Sequence, residues 1–395
     1  MPSFQRRLLG FLGVSWLLLL GACGESLSTA GIPEWTLERN LTIGSLGDPE
    51  QSLTAAGSLT TDDEGTIYVA QPRDFQIRVY SEGGELSRVI GREGQGPGEF
   101  SSIGYLGWLG DTLYTGDSRN QRVSFFKRDG SFIRSIRLAW SVIDEVFTPR
   151  TVSRVLPDGT VLVQPSFASR LLADGTITRR PLFRMDTTGT VLQTVAETSV
   201  KNSQLSIQKG SGGLFGLQLF SDSPLLALAP SGEYVMVLDR DAATQEHGAV
   251  MRLRKITVDG DTVFAHEIPY SPVPLPGEVV DSLLDAQAEG LSAAPMFESA
   301  REARQALDGA VFIPSFYPPA SRIVVASSGE IWVRRENVAG SDIRWDILSP
   351  EGDPVGKVIL PGSTNIHDSK EDFLRATERD ELDVTYVVRY RILRE

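Results

Sequence analysis

The residues that could do chemistry in this chain are few, and most stand in the wrong company for it. Residues 91–100 read GREGQGPGEF, with Gly91, Gly94, Gly96 and Gly98 inside eight positions. A phosphate-cradling loop turns backbone N–H groups toward the anion and adds a Lys, with a Ser or Thr opening a helix. This run has no Lys, sets Glu93 and Glu99 where the anion would sit, and loses a donor at Pro97. Its glycines therefore serve the path of the chain rather than a nucleotide. A second cluster, Gly210, Gly212, Gly213 and Gly216, lacks the strand-to-helix setting of a dinucleotide site.

Metal and general-base sites lean on histidine. The chain has three, His247, His266 and His367. They fall far apart, without H-x-x-x-H or H-x-E spacing, so no shared metal site is predicted. His266 alternates with Phe264 and reads as a satisfied residue of an outer strand. Ser206 and Lys209 match S-x-x-K, but no S-D-N or K-T-G accompanies them, and their setting reads as a loop rather than a helix start. Residues 239–248, DRDAATQEHG, are acidic yet lack the Gly and the bidentate Glu of a calcium loop. No catalytic residue, metal ligand or cofactor is predicted.

The single Cys, Cys23, excludes an internal disulfide. Arg6 and Arg7 precede an apolar run over 8–22, which is too short to span a bilayer, where about 20 residues are needed, but suits a signal-peptide core. The stretch from Leu20 to Cys23, LGAC, resembles a bacterial lipobox, whose Cys is acylated and becomes the new N-terminus. A plain signal peptide with a chance Cys is the other reading; lipidation gives a lone exported thiol its reason. Expected are a signal peptide over 1–22, then a lipidated Cys23 and small, polar tether over 23–33. Gly24, not Asp, follows Cys23. By resemblance to lipoprotein sorting, this implies the outer membrane, facing the periplasm or the cell surface. With 38 basic against 51 acidic residues, the formal charge of −13 argues against nucleic acid and against anionic lipid. Membrane contact is expected through the lipid anchor only.

The elements that must position any site come from repetition. A turn Gly followed by alternating β-branched and aromatic residues recurs as GTIYV (65–69), GDTLYT (110–115), GTVLV (159–163), GEYVMV (232–237) and GEIWV (329–333). Each is followed by a strand running into a second Gly turn, as in IRVYSEGGEL, VSFFKRDGSF, LFRMDTTGTV, LRKITVDGDT and WDILSPEGDP, and then by another strand. Alternation bounded by Gly, Asp and Asn is the signal of half-buried strands. Four antiparallel strands per unit, repeated, make a propeller blade. Five units are complete. PEWTLERNLTIG at one end and DFLRATERDELDVTYVVRYRIL at the other supply a sixth together, which closes the ring and removes open sheet edges. The fold class predicted for 34–395 is an all-β, six-bladed propeller with one helical insertion.

Residues 60–135 and 321–361 resemble the NHL-type repeats of bacterial six-bladed β-propeller lipoproteins. IYVAQPRDFQIRVYSEGGELSRVIGREGQGPGEF and LYTGDSRNQRVSFFKRDG carry the likeness. The resemblance implies that GREGQGPGEF is a crossover from one blade's outer strand to the next blade's inner strand. It also implies a structural hydrogen bond across the blade for Asp117 and Arg122. By analogy of fold alone, six-bladed propellers host hydrolases, lactonases and lyases at the channel mouth, often with a divalent metal.

Within each unit the first-to-second and third-to-fourth turns are tight, so the long connections gather on the opposite face. These include 165–178, 239–248, 197–223 and 269–319. The last carries helical spacing at Val280, Leu283, Leu284 and Leu291, and a second segment from Phe297 to Leu307; the insert proper covers about 276–308. A connection this long is a lid, a binding element or a plug over the channel. The expected function is a binding scaffold whose loop-rich face or central channel holds a small molecule, glycan or peptide. Its candidate contacts on that face are Arg73, Asp74, Arg119, Asn120, Arg170, His247 and Arg335. The alternative is a propeller enzyme, a hydrolase or lyase with a possible divalent metal at the channel mouth.

Overall fold

Strands buried on both faces call for apolar runs, and second strands such as IYVA of 67–70, YVMVL of 234–238 and IWV of 331–333 supply them. Ile67–Gln71, IYVAQ, is buried throughout. The fourth strands alternate instead, as in Thr262–Pro269, because one face meets solvent. The computed structural model describes residues 31–48, 51–138, 147–167, 171–172, 175–209, 212–241, 249–335 and 342–394. Cys23, Arg170 and His247 lie outside the described residues.

Residues from Ile32 onward form one compact unit. After strand β1 (Thr36–Ile43) the chain lays down blade 1, from β2 (Leu59–Thr61) to β5 (Leu86–Ile90), and blade 2, from β6 (Leu106–Leu109) to β9 (Phe132–Arg137). Blade 3 runs from β10 (Phe147–Val155) to β13 (Val191–Ser199). A separate hairpin follows, β14 (Gln204–Lys209) and β15 (Gly212–Leu217), and then blade 4 from β16 (Leu225–Leu228) to β19 (Thr262–Pro269). Two helices, α1 (Gly277–Leu291) and α2 (Ala300–Asp308), precede blade 5, from β20 (Arg322–Val325) to β23 (Pro354–Pro361). The last sheet has the order β24 (Asn365–Lys370), β25 (Phe373–Arg379), β26 (Thr385–Leu393) and then β1. Six four-stranded antiparallel sheets result, and the two chain ends close the sixth. The C-terminal strand is third from the axis, paired on both sides.

Apolar clusters sit between neighbouring blades. Trp332 and Trp345 are fully buried between blades 5 and 6, and the edge of Trp35 meets Trp332 at 6.3 Å between ring centroids. Tyr68, Phe100 and Phe126 fill the space between blades 1 and 2. Each large side chain so buried contributes roughly 1.5–3 kcal/mol.

The glycine-rich run is the crossover from β5 to β6, and its glycines are there for space. Gly91 has φ +82°, and a Cβ there would stand 2.2 Å from the buried ring of Phe100. Glu99 folds back to accept from the Gly96 N–H at 2.8 Å, and Arg122 donates to the carbonyls of Gln95, Gly96 and Glu99. Asp117, buried, accepts from the N–H groups of Ser101 and Ser102 at 3.0 Å. Both residues are therefore structural, as their place in the repeat implies.

The expected loop over 197–223 is instead largely the β14–β15 hairpin, which shares a core with the helices. Leu205, Ile207 and Phe220 pack with Val280, Leu284, Ala288, Phe297, Ala303 and Leu307. Leu283, placed on the apolar face by spacing, is 42% exposed; Ala288 takes the buried position one turn after Leu284. Ser299 caps α2 by accepting from the Glu302 N–H, and Glu302 returns a bond to the Glu298 N–H. Arg304 joins the helices through Asp281 and Asp285. The module leaves the ring by a paired neck, with Tyr317 N donating to Val273 O at 2.9 Å and Leu275 N to Ser315 O at 3.1 Å. No helix among the described residues is long and apolar enough to cross a membrane.

Candidate functional site

Among the described residues, two cavities offer room for a ligand. The larger, about 650 Å³, lies on the loop-rich face between the long loop of blade 3, the base of the hairpin and the end of α2. Thr178, Ser199, Asn202, Gln204 and Ser206 line it with hydroxyls and amides. Ser206 lies in a strand, and Lys209 is committed elsewhere: its Nζ sits 2.6 Å from Glu302 Oε1 and 2.7 Å from Met296 O. A Ser–Lys nucleophile is not assembled.

The second cavity, about 560 Å³, is the central channel. Inner strands and their approaches from all six blades wall it, through Thr60, Tyr105, Arg154, Leu226, Arg322 and His367 among others. Arg154 is 5% exposed. It donates to Tyr105 Oη at 2.5 Å and Leu228 O at 3.2 Å, and lies over the Tyr105 ring at 4.2 Å. Burial works against its charge, but the phenols of Tyr105 and Tyr114 more than offset this and hold its pKa above the ordinary value. Arg322 donates to Asn365 Oδ1 and to Ile366 O; burial, and then the charge of Arg334, push its pKa down.

His367 Nε2 stands 3.1 Å from Thr377 Oγ1. Burial, reinforced by Arg322, drives its pKa down to about 3. The imidazole therefore stays neutral in the folded protein while an unfolded chain takes up a proton below about 6.5. Stability contributed by this difference is complete above about pH 6.5 and is lost as pH falls toward 3, by at most about 1.4 kcal/mol per unit. Melting curves between pH 7 and 4 should show a steeper decline for the parent than for His367→Gln. Equal slopes would contradict a buried neutral ring.

The described residues expected to bind on the loop-rich face line neither cavity. Arg73 and Arg119 are exposed on the rim of blades 1 and 2. Asp74 accepts from Thr54 Oγ1 at 2.7 Å. Asn120 braces the glycine-rich crossover, donating to Asp117 Oδ2 at 2.7 Å and to Gly94 O at 3.3 Å. Arg335 is tucked against Asp346 at 3.3 Å and over the Tyr270 ring at 5.7 Å. His266 stacks on Phe264 with ring centroids 4.5 Å apart, as its alternation suggests. Sequence reasoning passed over Arg154 and Arg322 and weighed His367 only as one of three scattered histidines; the available signal for the arginines was a charge within or beside an inner strand, as in TVSRV and SRIVV.

No protein-family model matches the chain, and no curated protein does either. Solved structures align with it over most of its length. A member of the DUF4221 family from Bacteroides vulgatus aligns with TM-score 0.50 and 10% identity, over 92% of this chain and 99% of that one. A protein of Bacteroides fragilis described as exported aligns with TM-score 0.46 and 14% identity, over 93% and 97%. Virginiamycin B lyase of Staphylococcus aureus aligns with TM-score 0.36 and 10% identity, over 91% and 99%. At such identities the likeness extends to the fold alone. The chain is a six-bladed β-propeller.

Proposed function

We propose that this protein is an exported, lipid-anchored binding scaffold that takes a small molecule, glycan or peptide on its loop-rich face. The observation that carries this reading is the uneven distribution of chain. Two long connections on one face fold together into a module with its own core, beside a cavity of about 650 Å³ lined by polar groups. The other face has only tight turns. The module also presents Phe215, Leu217 and Leu219, alternate residues of β15 and the segment after it, to solvent; Leu217 is 75% exposed. A binding face needs such apolar contact area with hydrogen-bonding groups beside it.

The path of β1 shows where the chain enters the ring. As the outer strand of blade 6, it begins on the short-turn side and ends on the loop-rich side. Trp35 N donates to Lys357 O at 2.8 Å, and Lys357 N to Pro33 O at 2.9 Å, which guides the entering chain along β23. A tether from a lipidated Cys23 would meet the ring where β1 begins, on the short-turn side. Exchange of Cys23 for Ser should move the protein from the membrane fraction to the soluble exported fraction. Attachment that survives the exchange would overturn the anchor. For recognition, residues 34–395 are screened by thermal shift against saccharides, peptides and divalent metals. A saturable shift with a saccharide or peptide supports the scaffold. A metal-dependent shift with hydrolase or lyase turnover would transfer the function to the enzyme reading.

A further inference from the structure

We propose that the central channel is a second binding site, for a small molecule carrying a carboxylate or phosphate group, with Arg154 and Arg322 as its charge partners. The inference stands apart from the loop-rich face, since none of the residues walling the channel belongs to the hairpin or the helices.

A guanidinium has five N–H donors in a planar fork. Arg154 spends one on Tyr105 Oη and one on Leu228 O and also engages the Tyr114 hydroxyl, and its Nε, fully enclosed, has no hydrogen-bond partner. Arg322 likewise spends donors on Asn365 and Ile366 and lines the same cavity. Among the described residues neither forms an ion pair. Burial raises the pKa of the Tyr114 phenol beside Arg154, so it brings no negative charge at neutral pH, and the charge acting on Arg322 is another cation, Arg334. Arg334 itself is spent on Ser321 Oγ and Gly362 O.

One carboxylate, Asp368, lines the cavity among the described residues. It accepts from Ser327 N at 2.8 Å and Ser327 Oγ at 2.9 Å, and the cation that acts on it is Arg375 of the neighbouring strand. It therefore answers neither Arg154 nor Arg322. A chain of net charge −13 thus concentrates unmatched positive charge on its axis. Guanidinium removed from water without a counter-charge works against folding, and the arrangement makes sense where an oxyanion completes it. Carboxylate and phosphate fit the fork in a bidentate manner, which a halide cannot do. Tyr105, Leu226 and Val324 supply apolar wall for an organic body, and the volume of about 560 Å³ suits a small molecule.

The test is thermal shift and titration calorimetry on residues 34–395 with succinate, citrate and inorganic phosphate, at ionic strength fixed with sodium chloride. At least one should raise the melting temperature saturably. Arg154→Gln and Arg322→Gln should each weaken that binding by tenfold or more, while Arg137→Gln, on the exposed outer strand of blade 2, leaves it unchanged. Phosphate binding as tightly as the organic acids would identify the inorganic ion as the ligand class; preference for succinate or citrate would identify a carboxylated metabolite. If Arg154→Gln fails to fold, Arg322→Gln and Arg322→Lys still decide the matter. No saturable shift with any of the three beyond matched chloride, or undiminished binding in both Arg variants that fold, would overturn the site. A loop-face ligand found in the screen should bind these variants as it binds the parent, which keeps the two sites distinguishable.

Discussion

Removal of β26, by ending the chain at residue 384, should leave no cooperative melting transition. The strand carries Val387, Val388, Tyr390 and Ile392, all buried, and their loss alone amounts to about 6–12 kcal/mol. That is comparable with the whole stability of a typical domain, about 5–15 kcal/mol. The damage also spreads beyond the strand. β1 pairs only with β26, so the N-terminal strand is released with it, and blade 6 falls from four strands to two. Arg39, whose carboxylate partner Glu378 also accepts from Tyr390, loses its anchorage as well. Calorimetry and far-UV spectra would read the result directly. A truncated protein with an unchanged melting temperature would show that the ring does not depend on closure by its two ends.

Two deletions in the module should differ sharply in outcome. Replacement of residues 276–308 by a short Gly/Ser linker removes both helices and bares Leu205, Ile207 and Phe220 on the hairpin. The ring should keep its strand spectrum, because each blade holds its own ladder and shortening a surface insertion costs little entropy. The newly bared apolar face should make the protein aggregate. Removal of residues 203–217 together with 276–308 takes away nearly all of that core and should restore a monomeric ring. The neck must be spared, since Tyr270, Phe316 and Ala320 pack into the core of blades 4 and 5. Size-exclusion chromatography with melting curves separates the two variants. Unfolding of the ring in the double deletion would show that the module is a structural plug.

Blades were legible in the sequence because their physics is local. IYVAQ and GEIWV combine β-branched and aromatic residues with a bounding Gly, and burial on both faces keeps polar positions few enough for the signal to stand out. GREGQGPGEF could be recognised as a corner for the same reason: its carboxylates and Pro97 exclude an anion. The β14–β15 hairpin escaped notice because QLSIQK and GGLFGL are half polar or glycine, and the partner for their apolar face arrives some seventy residues later. Arg154, Arg322 and His367 were hidden differently. A polar residue in a strand reads as solvent-facing, and only closure of the ring turns an inner edge toward an axis that six blades share. Asn120 and Arg335 show the converse. Their loops promised exposure, yet neighbouring turns and blades engage both side chains.

Recognition by the loop-rich face is tested most directly with the double-deleted ring. A saccharide or peptide that binds residues 34–395 is titrated against the variant lacking 203–217 and 276–308, once its fold is verified. The account predicts a loss of affinity of well over tenfold, about 1.4 kcal/mol or more. A folded ring without the module that binds the same ligand as tightly as the parent would contradict it.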